Sequence, residues 1–188
     1  MLTLVLSIDT VRGFCDKGNM QNPRMKNIIP NIEDLMERVQ KNSDGNIIFV
    51  CDNHQEDDPE FKRFPKHCIA GTEEVEVVPQ LRRFLMAANN NYVPKTKFNA
   101  LLGNRLKESL ARIKPDRIII VGVCTDICIL YTVAALRELE YEVIVPRDCV
   151  ETFDAPDHNA EDVNNAMLKH MADILGVEIV PTQAGIGI

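Results

Sequence analysis

Among the six cysteines of this 188-residue chain, Cys128 has the surroundings of a reactive thiol. The segment Ile118-Ile-Ile-Val-Gly-Val-Cys-Thr-Asp-Ile-Cys128 passes from a continuous apolar run into a helical pattern. The run reads as a buried strand ending near Val123, with a helix starting at Thr125 or Asp126. With Thr125 as N-cap, Cys128 falls at the third helical position. There, unpaired backbone N–H groups and the positive helix end favour a thiolate, and the same groups could hold the oxyanion of an acyl-transfer step. Cys124, at the strand end, reads as a small buried residue.

A nucleophilic cysteine needs a proton acceptor and a group that favours its charge. Of the four histidines, His54 and His67 suit a metal better. His158 and His170 fall on or beside the last predicted helix, away from the sheet rim. A carboxylate is left, Asp9, which ends the first strand in Leu6-Ser-Ile-Asp9; burial would raise its pKa toward that of a useful base. The plain alternative is that Asp9 caps the turn that follows it. Lys95, after Tyr92-Val-Pro94, would lower the cysteine pKa and steady an oxyanion, with Lys97 as its rival.

A second cluster surrounds Asp52-Asn-His54. Asp-x-His on an extended chain puts both side chains on one side, and His67 follows in Arg63-Phe-Pro-Lys-His67. Carboxylate with imidazole suits zinc, iron or manganese. The plain alternative is a polar loop with incidental histidines.

Positioning these groups requires an ordered alternation of elements. Thr3–Ile8, Gly45–Val50, Tyr92–Val93, Arg117–Val123, Glu142–Val145 and Glu178–Val180 read as strands, apolar throughout as if covered on both faces. Ile29–Gln40, Gln80–Ala88, Arg105–Ile113, Asp126–Leu139 and His158–Leu175 read as helices, with Lys114-Pro115-Asp116 separating the third from the next strand and Gly176 as a C-cap. The expected fold class is α/β, a three-layer α/β/α domain over residues 1–188 with a mainly parallel six-stranded sheet. Ligands of such sheets bind at the carboxyl ends of the strands, and Asp9, Asp52, Lys95 and Cys124–Cys128 all fall at that rim. The stretch from Gln55 to Thr72 is long for a connecting loop, which suggests a functional one.

Composition narrows the partners. A formal charge of −7 with no basic block argues against nucleic acid, since phosphate binding relies on clustered cations. A small molecule is expected instead. The apolar N-terminus lacks a basic flank and a cleavage site and reads as a strand. No apolar run approaches the roughly 18–20 residues that span a bilayer. A cytoplasmic location off the membrane, with thiols and not disulfides, is the expectation.

Asp9, Lys95 and Cys128, in that order on an α/β sheet, resemble the Asp-Lys-Cys triad of the isochorismatase-like cysteine hydrolases. Thr125-Asp-Ile-Cys128 after Val121-Gly-Val-Cys124 is similar to the family's Gly-x-x-Thr-Asp-x-Cys signature. Lys95-Thr-Lys-Phe-Asn-Ala-Leu101 resembles its Lys-x-x-Tyr-Ser-Ala-Phe segment, which selects Lys95 over Lys97; here Phe, Asn and Leu replace Tyr, Ser and Phe. The resemblance spans about Leu4 to Val180. It implies a cis peptide at Val123–Cys124 and an oxyanion hole from the backbone N–H groups of Cys124 and Cys128.

Phe64-Pro-Lys-His67 looks like an element of the nicotinamidase branch, in which an Asp-x-His pair is followed by a third ligand and then this histidine. The metal set implied is Asp52, His54, Glu60 and His67, with Glu56, Asp57 and Asp58 as rivals of Glu60. Zinc is the first choice of divalent metal, before iron or manganese. Phe14 and Phe64 match aromatic positions that enclose a flat ring. The resemblance thus implies nicotinamide as the small-molecule amide substrate. Homo-oligomerisation stays open. The alternatives are another hydrolase of the family, acting on a different amide, ureide or vinyl ether, or a metal-binding or thiol-redox protein that pairs Cys124 with Cys128.

Overall fold

The computed structural model describes residues 1–41, 45–85 and 91–188. Its strands are β1 (Thr3–Ile8), β2 (Gly45–Asp52), β3 (Tyr92–Lys95), β4 (Arg117–Val123), β5 (Val143–Pro146), β6 (Val150–Glu151) and β7 (Glu178–Val180). The six expected strands lie in the order β3-β2-β1-β4-β5-β7, and the two-residue β6, not foreseen, pairs with β4. Every pairing is parallel. The α-helices are α1 (Arg12–Cys15), α2 (Pro23–Asn27), α3 (Ile29–Lys41), α4 (Leu106–Ile113), α5 (Leu130–Glu138) and α6 (Ala160–Leu175). Among the described residues no helix is long and apolar enough to cross a membrane.

The apolar strands bury both faces because successive side chains point to opposite sides of the sheet. Val5, Phe49, Cys51, Ile119 and Val121 meet Ile32, Leu35, Met36 and Val39 of α3. Leu4, Leu6, Ile8, Ile118 and Ile120 meet α4, α5 and α6 through Leu106, Leu110, Val133, Leu136, Leu168 and Met171. Each fully buried Leu or Ile contributes roughly 1.5–3 kcal/mol, so the central strands are held from two sides. This is the expected three-layer α/β/α arrangement.

Helix ends follow local chemistry. Gly176 takes the left-handed conformation at the end of α6, as expected of a C-cap. Asn159 caps the other end by accepting the Asp162 N–H, so α6 starts two residues after His158. The expected helix over Gln80–Ala88 is instead a 3₁₀ turn over Pro79–Phe84, and Leu85 is extended. Its end is set by tertiary contact, because the Asn91 amide donates to the Phe84 and Ile47 carbonyls. Met86–Ala88, within the expected helix, lie outside the described residues.

Two features bring the rim residues together. From β1 the chain builds outward through β2 to β3, then returns to the other flank of β1 as β4, which makes a switch point between β1 and β4. Register then sets neighbours, with Asp52 opposite Lys95 and Ile8 opposite both Val50 and Gly122. Gly122 has φ +116, and a Cβ there would lie 1.9 Å from the Ile8 carbonyl oxygen. Only glycine lets β4 approach β1 this closely just before the chain enters the Cys124–Cys128 turn.

Candidate active site

Asp9 follows the last residue of β1 and has φ +55, a conformation that aspartate tolerates better than most residues. Its side chain is buried and points at β2 and β3. Oδ1 accepts the Asp52 N–H at 2.7 Å, and Oδ2 lies 2.7 Å from Lys95 Nζ. It does not cap the following turn: α1 starts from Val11 with no side-chain cap. Lys95 Nζ also contacts Asp52 Oδ1 at 2.5 Å and Cys128 Sγ at 3.4 Å. One ammonium therefore joins Asp9, Asp52 and Cys128. Lys97, beyond the strand end, is exposed.

The expected N-cap moves by one residue. Cys124 caps the turn, and Thr125–Ile129 forms a π turn before α5. The Cys124 carbonyl accepts the N–H groups of Ile127 and Ile129 and not that of Cys128. The Val123–Cys124 peptide is cis. Cys128 Sγ thus sits in a wound first turn facing Lys95, against a cavity that Cys124 also lines.

Burial governs the charges here. It raises the Asp9 carboxyl to about 6, with repulsion from Asp52 adding to the push and Lys95 opposing it. Burial also pushes Cys128 well above the usual thiol range, against the pull of Lys95. Burial thus opposes the thiolate preference expected of a first turn and favours the neutral thiol. At Asp52 burial is overcome by Lys95 and by the nearby imidazoles of His54 and His67, which hold the carboxyl below its ordinary range.

The second cluster adjoins the first through Asp52. His54 continues from β2, and its backbone is tied to the loop beyond: its N–H donates to the Cys68 carbonyl, and the Ala70 N–H to its own. This short parallel bridge folds the Gln55–Thr72 stretch back and sets His67 beside His54, ring centroids 5.0 Å apart. Asp52 Oδ1 lies 3.6 Å from His54 Nε2, and Oδ2 lies 3.6 Å from His67 Nε2. Glu60 Oε1 is 3.8 Å from His67 Nε2. Asp58 stands behind the cluster, 3.1 Å from His54 Nδ1. Of the other rivals, Glu56 pairs with Lys66 at the surface and Asp57 is exposed.

These donors fit a divalent metal. His67 Nδ1 faces the Pro65 carbonyl at 2.8 Å, and His54 Nδ1 faces Asp58. Both Nδ1 atoms thus carry hydrogen, and both Nε2 atoms are turned toward the cluster. His54 Nε2 is buried without a hydrogen-bond partner. Burial pulls His54 down, yet Asp52, Asp58 and Glu60 outweigh it and raise the imidazole to about 9. These carboxylates thus favour positive charge at this point, and a dication bound to the imidazole nitrogens would take the place of the proton that His54 holds without it.

Between the two clusters lies a narrow cavity of about 30 Å³ that opens to solvent. Asp9, Asp52, Glu60, His67, Cys124 and Cys128 line it together with Phe14 and Phe64. Phe14 leans on His67, centroids 5.4 Å apart. Phe98, Met20 and Ile127 also line it, and the sequence reading assigned none of them there. The signal for Phe98 was its place in the lysine segment, three residues after Lys95. Met20 and Ile127 carry no comparable signal.

Residues 3–178 match the family model described as the isochorismatase domain. Nicotinamidase 1 of Arabidopsis thaliana is 30% identical over an alignment 184 positions long, gaps included, which covers 85% of this chain and 73% of that one. The crystal structure of a pyrazinamidase/nicotinamidase from Streptococcus mutans superposes with a TM-score of 0.84 at 27% identity, covering 95% of this chain and 99% of that chain. The pyrazinamidase of Pyrococcus horikoshii in complex with zinc gives a TM-score of 0.81 over 96% of this chain and 99% of that one. At 22% identity the last comparison speaks to the fold alone.

Proposed function

The chain belongs to the isochorismatase family, and from that premise we propose that this hydrolase converts nicotinamide and water to nicotinate and ammonia through a thioester on Cys128. One observation carries the reading. Lys95 Nζ contacts both Asp9 and Cys128, and those two residues line one cavity together with Phe14, Phe64 and Phe98.

The chemistry follows from the protonation states. As Cys128 Sγ attacks the carboxamide carbon, Asp9 takes the thiol proton. The oxyanion is held by the N–H groups of Cys124 and Cys128 and steadied by Lys95. Asp9 then passes the proton to the leaving nitrogen, and ammonia departs as the C–N bond breaks. In the second half, Asp9 accepts a proton from water as its oxygen attacks the thioester; the C–S bond breaks as Asp9 returns that proton to the sulfur, and the acid formed leaves as nicotinate after losing its remaining proton to solvent. A buried carboxyl near 6 suits both duties. Phe14 and Phe64 would enclose the pyridine ring.

A divalent metal, zinc by the preference of its donors, would be held by Asp52, His54, Glu60 and His67. When bound it would supply a Lewis-acid site that orients the ring through the pyridine nitrogen. Chelator treatment of the purified protein is therefore expected to raise KM for nicotinamide by about tenfold or more, with recovery on adding zinc. An unchanged KM in protein shown to be metal-free by elemental analysis would remove the metal from substrate binding.

Ammonia release from nicotinamide, with pyrazinamide and a panel of simple amides beside it, tests the main proposal. Nicotinamide is expected to give the highest kcat/KM of the panel. Turnover of another amide, ureide or vinyl ether with none of nicotinamide would move the activity elsewhere in the family. No hydrolysis at all, with reversible oxidation of Cys124 and Cys128, would favour the thiol-redox alternative.

A further inference from the structure

The segment after β6 takes no part in the scheme above, yet it closes on the turn that carries Cys128. Thr152 donates through Oγ1 to Asp126 Oδ1 at 2.6 Å, and His158 Nε2 lies 3.0 Å from Asp126 Oδ2. The second imidazole nitrogen, Nδ1, is 2.8 Å from the Phe153 carbonyl oxygen. The ring stacks on Phe153, with centroids 4.3 Å apart and planes within 5°. This corrects the sequence expectation that His158 lies away from the rim. It precedes α6 and reaches back to the nucleophile turn.

The protonation of this histidine follows from its partners. A carbonyl and an ionised carboxylate only accept hydrogen bonds. Both ring nitrogens therefore face acceptors, and the bonds to Asp126 and to the Phe153 carbonyl outweigh partial burial and raise the His158 pKa, favouring the imidazolium. Its side chain is 23% exposed and that of Asp126 is 18% exposed, so the pair is only partly screened by solvent.

Asp126 lies inside the turn, between Cys124 and Cys128. Both of its carboxylate oxygens are held from outside that turn, by residues of one short segment. That segment is itself anchored, because Val150 and Glu151 of β6 pair with Gly122 and Val123 of β4. Neither Thr152 nor His158 lines the cavity. We propose that His158 and Thr152 form a clamp that, through Asp126, sets the position of Cys128 Sγ and of the Cys124 and Cys128 N–H groups for acyl transfer. His158 is then a positioning residue of the reaction. An error of about 1 Å in such a group can cost on the order of 10²-fold in rate, which gives the clamp a kinetic purpose beyond holding the fold.

The inference rests on Cys128 being the nucleophile, and the experiment separates the two. Iodoacetamide carries a carboxamide, and labelling of each thiol can be followed by mass spectrometry without any substrate. In the wild type, Cys128 is expected to label ahead of the other five cysteines. His158→Ala is expected to slow that labelling by about tenfold. In steady state it should lower kcat by about tenfold with KM changed less than about twofold, where a general loosening of the cavity would move both. The Asp126→Ala/His158→Ala double variant should be no slower than Asp126→Ala, because removing Asp126 already severs the link. His158→Gln, which keeps a donor toward Asp126 without the charge, should recover part of the rate. It also replaces His158→Ala in every comparison if the alanine variant does not fold. Unchanged kcat and labelling in folded His158 variants, or fully additive effects with Asp126→Ala, would overturn the clamp. A wild-type Cys128 no faster than the other thiols would overturn the nucleophile assignment, and the clamp with it.

Discussion

Replacing Cys128 by alanine will abolish amide hydrolysis, with a loss on the order of 10⁴-fold or more, because no neighbouring group can form the acyl intermediate in its place. The fold should survive. Cys128 borders the cavity at one edge of the apolar layer made with α5 and α6, and cysteine and alanine differ there by a single sulfur. Cys124 supplies the control. It is also buried and lines the same cavity, but its proposed part is played by the backbone, so Cys124→Ala should keep a substantial fraction of the rate. Measured ammonia release with the opposite pattern, an active Cys128→Ala and a dead Cys124→Ala, would reassign the nucleophile.

Asp9→Asn is expected to lower kcat by on the order of 10²-fold or more, the usual size of a general acid–base contribution. The substitution is unusually clean at this position. Asparagine tolerates the left-handed backbone found at φ +55 as well as aspartate does, and its oxygen can still accept the Asp52 N–H. Lys95 keeps Asp52 as an anionic partner. What asparagine cannot do is take a proton from Cys128, and Asp52, the other carboxylate near the sulfur, is a poor base because Lys95 helps hold its pKa below the ordinary range. Near-wild-type ammonia release by folded Asp9→Asn would show that Asp9 only organises the strand ends, and the proton-transfer scheme would fall.

Much of this architecture is written in local pattern. Continuous apolar runs marked β1 and β4 to the residue, and three- and four-residue spacing marked α3 and α4 within one residue at each end, because burial on both sheet faces and on one helix face leaves those periods in the chain. The placing of Asp9, Asp52, Lys95 and Cys128 at strand ends was legible too, since a strand that stops at a polar residue on a parallel sheet delivers it to the ligand-binding rim. Other features depended on distant parts of the chain. The 3₁₀ turn in place of a helix at Pro79–Phe84 is ended by Asn91, and β6 is too short to leave a period of its own.

The sequence by itself determined which side chains of the site are chemically able to react. Tertiary structure decided what those groups are bonded to and how they are charged. Asp52 reads as a metal-type donor, but only the β2–β3 register makes it a partner of Lys95, so that one carboxylate joins both clusters. Cys128 reads as a thiolate from its place in a first turn, but a local dipole counts for less than the desolvation imposed by the layers around it. His158 reads as lying on or beside the last helix, away from the rim; it does precede α6, but the segment that follows β6 carries it to Asp126. Charge state and hydrogen bonding depend on neighbours from every element that converges on a point. Local sequence carries the identity of one of those neighbours at a time.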